Sequence, residues 1–182
     1  MQWEKSIARK QENGTPIMNG VNPVVVLGAE CVIKIAEKQG INAIIVQGYR
    51  TKEYQDKLYA QGRTTAGDIV TRTKGGQSPH NHGLAVDFVL EPITWTRTPE
   101  WEKVAEIAEE LGFTWGGRWK GFVDNPHIEM TFGMKPSEWQ QRMQPAKEKQ
   151  IAACQNIWKV CNKYGMNELK INAHQLAEVL RK

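Results

Sequence analysis

His80 and Asp87, two side chains with zinc-ligand chemistry, share the stretch Gln77-Ser78-Pro79-His80-Asn81-His82-Gly83-Leu84-Ala85-Val86-Asp87. The run Leu84 to Leu90 that follows Gly83 reads as a buried strand. Its alternation sets Ala85, Asp87 and Val89 on one face and Val86, Phe88 and Leu90 on the other. An ionised Asp in that setting is expensive unless a cation, an Arg or backbone donors face it, and a metal shared with His80 meets the need. A third ligand is available downstream, in Phe122-Val123-Asp124-Asn125-Pro126-His127-Ile128-Glu129-Met130. Pro126 is excluded from a helix interior and biases Asn125 toward extended backbone, so His127 is expected to open a short strand through Phe132, with Asp124 on the preceding loop. Two His and one carboxylate leave a tetrahedral zinc with an open fourth position, the arrangement of a catalytic rather than a structural site.

A lone His is more often structural than a ligand, so the joint pattern carries this reading. Zinc brings a bound water to a pKa of about 7. Asp124 is the candidate to take its proton and return it to a leaving amine; the plain alternative is a carboxylate capping the turn before Pro126. Glu129, on the same strand face as His127, is either a rival base or the acceptor that holds a ligand imidazole. Ser78 binds substrate or caps the loop, and His82 binds substrate or replaces a ligand.

Several separated segments in this order resemble the zinc D,D-carboxypeptidase-like peptidases, which include the vancomycin-resistance D,D-peptidases. They are Ser78-x-His80-x-x-Gly83-x-Ala85-x-Asp87, Asp124-x-x-His127, Gln47-Gly48-Tyr49-Arg50-Thr51, Gln55, Leu58 to Thr64, Gly75 to Ser78 and Trp115-Gly116-Gly117-x-Trp119-Lys120. The fuller set looks most like the L-alanyl-D-glutamate peptidases of phage endolysins and their bacterial relatives, over roughly residues 20 to 132. His82 departs from that pattern, which usually carries an aromatic there. The resemblance implies an α+β fold, a small central antiparallel sheet with helices packed on it. It also implies zinc as cofactor, a peptidoglycan stem peptide as partner, and hydrolysis at L-Ala-D-Glu. In the resembled family the Arg at position 50 polarises the scissile carbonyl or stabilises its oxyanion. Two rival functions stand beside this one: a D-Ala-D-Ala carboxypeptidase or dipeptidase using the same centre, and a non-catalytic zinc-stabilised wall-binding module.

The elements that must position these groups are legible in outline. Asn22 caps and Pro23 opens a helix with its stripe at Val24, Val25, Leu27, Cys31, Val32 and Ile35 and its stop at Gly40. Ile41 to Val46 is a β-branched strand ending at Gln47-Gly48-Tyr49-Arg50, which sets Arg50 where a strand end meets a helix start and can reach a cleft. Thr51 caps the next helix, which runs to about Gln61 and carries Gln55 as a buttress for Arg50, a substrate contact or a plain exposed residue. Ile69-Val70-Thr71 suggests a short strand, and Thr98-Pro99 opens a helix ending at Gly112. Trp115 is assigned to the core and Trp119 to the flank of a bound peptide. Lys135-Pro136-Ser137 begins a short helix.

The chain has 182 residues and a net charge of +4, room for a catalytic domain over residues 1–145 and a helical C-terminal segment over 146–182. That segment carries helical spacing at Ile151, Cys154, Trp158 and Cys161, a break at Tyr164-Gly165, and Asn172 as the cap of a last helix. Docking on the catalytic domain, oligomerisation and wall binding are its candidate roles. At the other end, Asn13-Gly14-Thr15-Pro16 marks a turn and Trp3 is a candidate to pack onto the domain. Three cysteines without C-x-x-C spacing argue for free thiols, with a zinc on Cys154, Cys161 and His174 as a remote alternative. No basic run with interleaved aromatics marks a nucleic-acid groove. No apolar span or signal core is visible, so a protein made in the cytoplasm is expected; the resemblance implies release to the wall through a helper such as a phage holin, and a monomer is expected.

Overall fold

The computed structural model describes residues 18–93 and 97–182. Trp3 and the turn at Asn13 to Pro16 lie outside the described residues. Helix α1, Pro23–Lys38, starts where Asn22 accepts a hydrogen bond from the Val24 amide at 2.9 Å and Pro23 fills the first turn, where no intrahelical donor is needed. It buries Val24, Val25, Cys31, Val32, Ile35 and Ala36 completely.

Strand β1, Ala43–Gln47, leads through Tyr49-Arg50 to helix α2, Lys52–Ala60, whose first turn is capped by Thr51 Oγ on the Tyr54 amide at 3.1 Å. Strand β2, Ala85–Leu90, is buried at every position because it is central in a four-stranded antiparallel sheet of order β1-β2-β4-β3. The other two strands are β4, His127–Glu129, beside it, and β3, Thr114–Trp115, at the far edge. Register sets Asp87 opposite His127 and Val86 opposite Ile128, which in turn faces Trp115. Alternation therefore divides the sheet. Val86, Phe88, Ile128 and Trp115 join the apolar core, where Phe88 meets Trp101 of helix α3, Pro99–Glu110, with ring centroids 4.9 Å apart. Asp87, His127 and Glu129 share the opposite face.

Helices α4, Pro136–Gln140, α5, Lys147–Lys163, and α6, Asn167–Arg181, complete the chain. Cys154, Ile157, Val160, Cys161, Leu169, Ala173 and Ala177 belong to the same core cluster as α1 and the sheet. The three cysteines are free and buried, and Cys161 Sγ lies 3.0 Å from Cys31 Sγ of α1. Cys161 thus turns toward α1, while Cys154 and His174 line the cleft between α5 and α6, so the alternative zinc site does not assemble.

Three expectations fail, each for a physical reason. Ile69 and Val70 are exposed and pair with no strand, because the sheet edge lies elsewhere. Asn172 caps nothing: Gly165, at φ +68°, turns the chain straight into Met166, and α6 runs unbroken past Asn172. Strand β4 ends at Glu129 rather than Phe132, since Phe132 and Gly133 both take positive φ.

Candidate metal centre

His80 sits on a 3-10 turn, Pro79–His82, whose amide at His80 is capped by Ser78 Oγ at 3.3 Å. Gly83 ends that turn in left-handed conformation, φ +68°, and delivers the chain into β2. The turn is fastened to the end of β1: the Arg50 amide donates to the His80 carbonyl at 3.1 Å, and Asn81 Nδ2 donates to the Arg50 carbonyl at 2.9 Å. His80, Asp87 and His127 are each buried.

Their donor atoms converge. His80 Nε2 lies 3.1 Å from Asp87 Oδ1 and 3.0 Å from His127 Nδ1, and His127 Nδ1 lies 3.3 Å from Asp87 Oδ1. Four ligands about 2.0–2.1 Å from a tetrahedral zinc stand about 3.3 Å from one another, so the triangle has the size the ion requires. The tautomers agree. His80 Nδ1 faces the Gly48 carbonyl at 2.7 Å and must donate to it, and His127 Nε2 faces Glu129 Oε2 at 3.0 Å and donates likewise. Each neutral ring then presents its lone pair to the centre beside a carboxylate oxygen. With both rings neutral the three acceptors face one another with no donor among them, and a cation, proton or metal, must complete the triangle.

Electrostatics follow from the same contacts. Burial, aided by the Arg50 guanidinium, lowers the His80 imidazole below its ordinary pKa. Burial alone would raise Asp87, but the imidazoles and Arg50 hold it well below the usual carboxylate range. His127 is likewise opposed by burial, yet hydrogen bonds to Asp87 and Glu129 lift it to about 9. Asp124 is raised by burial and by the nearby Asp87 charge.

Arg50 pairs with Asp87 Oδ2, and its other Nη meets Gln55 Oε1 at 3.4 Å. Gln55 is fully buried; it contacts Arg50 and ties it to Thr71 Oγ at 3.2 Å and the Thr73 carbonyl at 2.8 Å. Ser78 is buried and spends its hydroxyl on the turn. His82 points away from the three donors, with Nε2 2.9 Å from the Gly76 carbonyl. Trp119 stands beside the centre, its ring 5.1 Å from that of His127, whereas Trp115 is buried and donates to the Asn125 carbonyl at 2.7 Å. Asp124 is placed by its amide, which donates to the Gly116 carbonyl at 3.1 Å. A Cβ on Gly116 would come within 2.6 Å of the Asp124 carbonyl oxygen and 3.2 Å of His127 Cβ, so only glycine admits this approach. Sequence reasoning assigned no role of their own to Gly48, Asn81 and Gly116. Two of them act through backbone atoms or the lack of a side chain, which leave no signal of residue chemistry.

Comparison with known proteins gives the same direction. A family profile described as D-alanyl-D-alanine carboxypeptidase matches residues 71–130. The chain is 42% identical over 127 residues to the peptidoglycan L-alanyl-D-glutamate endopeptidase CwlK of Bacillus subtilis, covering 63% of this chain and 76% of that protein. It is 35% identical over 102 residues to the L-alanyl-D-glutamate peptidase of a Listeria phage, covering 53% of this chain but 33% of the phage protein. The fold is similar to a variant of the vancomycin-resistance D,D-pentapeptidase VanY solved with Zn(II), at a TM-score of 0.50 and 18% identity over 73% of this chain and 83% of that one.

Proposed function

We propose, for a chain that belongs to the peptidase M15 family of metallopeptidases, zinc-dependent hydrolysis of the L-Ala-D-Glu bond in peptidoglycan stem peptides. The observation that carries the proposal is the converging triangle of His80 Nε2, Asp87 Oδ1 and His127 Nδ1, with the outer ring hydrogens already committed to Gly48 and Glu129. A zinc ion held there would supply a Lewis acid that brings a water to a pKa of about 7 and polarises a carbonyl.

The chain's own residues supply the rest. Asp124 takes the proton of the attacking water and returns it to the leaving amine; its raised carboxyl makes it a better base than an ordinary surface Asp. Arg50 holds Asp87 ionised and aimed. Its Nη atoms contact Asp87 and Gln55 through one N–H each and its buried Nε–H has no partner, so it serves a developing oxyanion through the positive field it sets beside the centre and through the donors those contacts leave over. Glu129 keeps His127 in the tautomer that ligates through Nδ1. Trp119 walls the site next to His127 and excludes water from one flank of the bound peptide. All of these residues precede residue 146, so residues 1–145 form the catalytic part and 146–182 buttress α1.

The bond is assigned from the relatives, one bacterial and one from a phage, that are named for it. The family profile carries the name of the rival, a D-Ala-D-Ala carboxypeptidase. Digestion of purified wall, with the new termini read by mass spectrometry, separates the two. New D-Glu amino termini, abolished by chelator and restored by zinc, are expected. Release of D-Ala without such termini would overturn the assignment. Among the described residues no helix is long and apolar enough to cross a membrane.

A further inference from the structure

Four arginines among the described residues lie over aromatic rings: Arg63 on Tyr59, Arg97 and Arg118 on Trp115, and Arg72 on Phe122. Three of them are spent. Arg63 donates to the Tyr59 and Thr71 carbonyls, Arg97 to Glu102 and the Gly117 carbonyl, and Arg118 to Glu109. Arg72, exposed and 5.1 Å from the Phe122 centroid, makes no hydrogen bond or ion pair among the described residues. A guanidinium drawn over a ring is restrained while its N–H donors stay free, which is the state of a cation prepared for a carboxylate.

Its position is held from both sides. Thr71 and Thr73, its chain neighbours, are pinned by the buried amide of Gln55, and Gln55 meets Arg50, which meets Asp87. Phe122 lies two residues before Asp124, at most about 7 Å of extended chain. The contact therefore joins the loop that leads into the His80 turn with the loop that carries Asp124 and leads into His127. Asp87, Asp124 and Glu129 offset the charges of Arg50 and of a bound zinc, so the loaded centre holds no surplus positive charge for an acidic substrate and a further cation at its rim would favour one.

Resting on the reading above, we propose that Arg72, stacked on Phe122, is a specificity residue that binds the free α-carboxylate of the residue supplying the leaving amine. In a stem peptide cleaved at L-Ala-D-Glu, the D-Glu amine is freed and the chain continues through its γ-carboxyl. The α-carboxylate thus stays on the carbon that bears the departing nitrogen, and a base returning a proton there has this anion beside it. The chemistry distinguishes an acidic stem from one amidated at that position, where the carboxamide carries no charge to pair.

The test uses the full-length zinc-loaded protein and two synthetic peptides, L-Ala-γ-D-Glu-L-Lys with a free α-carboxylate and the same peptide with an α-carboxamide. The wild-type protein is expected to prefer the carboxylate by about tenfold in kcat/KM, with the difference in KM, as for a hydrogen-bonded charge pair at a solvated rim. Arg72→Ala and Arg72→Gln are expected to collapse that ratio toward one at unchanged zinc content, and Phe122→Leu to lower it part of the way. A merely structural role would reduce both substrates together and leave the ratio intact. An intact ratio in Arg72→Ala, or no wild-type preference, overturns the assignment. Failure of the wild-type protein to cut either peptide at L-Ala-D-Glu overturns the bond assignment first, and this inference with it.

Discussion

Glu129 Oε2 accepts a hydrogen bond from His127 Nε2 at 3.0 Å, two positions along the same strand, so one metal-face imidazole is aimed by its own strand neighbour. The strand period places both side chains on one face, and the carboxylate makes the facing nitrogen a donor. The opposite nitrogen is left to ligate.

Glu129→Ala is therefore expected to weaken zinc binding by about 10- to 100-fold, read by competition with a chelator of known affinity. Glu129→Gln retains an acceptor oxygen and should recover most of the loss. Were Glu129 the base instead, the Gln variant would keep its zinc and lose its turnover.

As the proposed base, Asp124 is expected to bear on the reaction and not on metal retention. Its backbone is held by Gly116 and its carboxyl lies close enough to feel Asp87 and His127, yet it is outside the group able to grip an ion. Asp124→Asn should hold zinc at wild-type stoichiometry while turnover falls by at least about 100-fold. Metal analysis beside a peptide-cleavage assay checks this, and zinc loss in the variant would place Asp124 among the ligands.

Proton and zinc compete for His127. In the metal-free protein its imidazole is raised to about 9, opposed by burial but sustained by Asp87 and Glu129. Coordination requires the neutral ring, so below about pH 9 zinc uptake should release one proton, and apparent affinity should rise about tenfold per pH unit until that value. His80, lowered by burial, is already neutral at pH 7 and adds no proton. The sign for stability follows. A pKa raised above the unfolded value of 6.5 contributes fully below pH 6.5 and is lost as pH rises through about 9. The gain in melting temperature on adding zinc should widen across that window. Calorimetry in two buffers of different ionisation enthalpy counts the proton.

What could be read in advance depended on where the information resides. His80, Asp87 and His127 announce themselves because ligand chemistry is a property of residue type and the strand period orients it. The cap at Asn22 and the break at Gly165 are similarly local. Gln55 was not decidable, since an amide on an amphipathic helix reads the same exposed or buried; only the packing of Thr71 and Thr73 against it makes it internal. Ile69 and Val70 have strand propensity but no edge to pair with, and pairing is a property of the sheet. The contact of Cys31 with Cys161 joins helices 130 positions apart, beyond any local pattern.

Gly83 shows how a residue without chemistry can govern the centre. It takes φ +68°, and a Cβ there would fall on the Gly20 carbonyl oxygen and lie 3.1 Å from the Asn22 amide nitrogen, which itself donates to the Gly83 carbonyl at 2.9 Å. Gly83→Ala thus combines a left-handed non-glycine residue with a clash against fixed backbone, for about 3 kcal/mol of destabilisation. At this chain length that corresponds to a fall of about 6–12 °C in Tm. Relief of the clash must move either the start of α1, where every residue from Val24 to Val32 is buried, or the turn that carries His80. The turn is the softer side, so zinc affinity should fall together with Tm. By contrast Gly121→Ala, at positive φ but with nothing near its Cβ, should cost about 1 kcal/mol and leave zinc affinity alone. Thermal melts and chelator titrations on the two variants would show whether the clash, rather than the backbone angle, disturbs the metal turn.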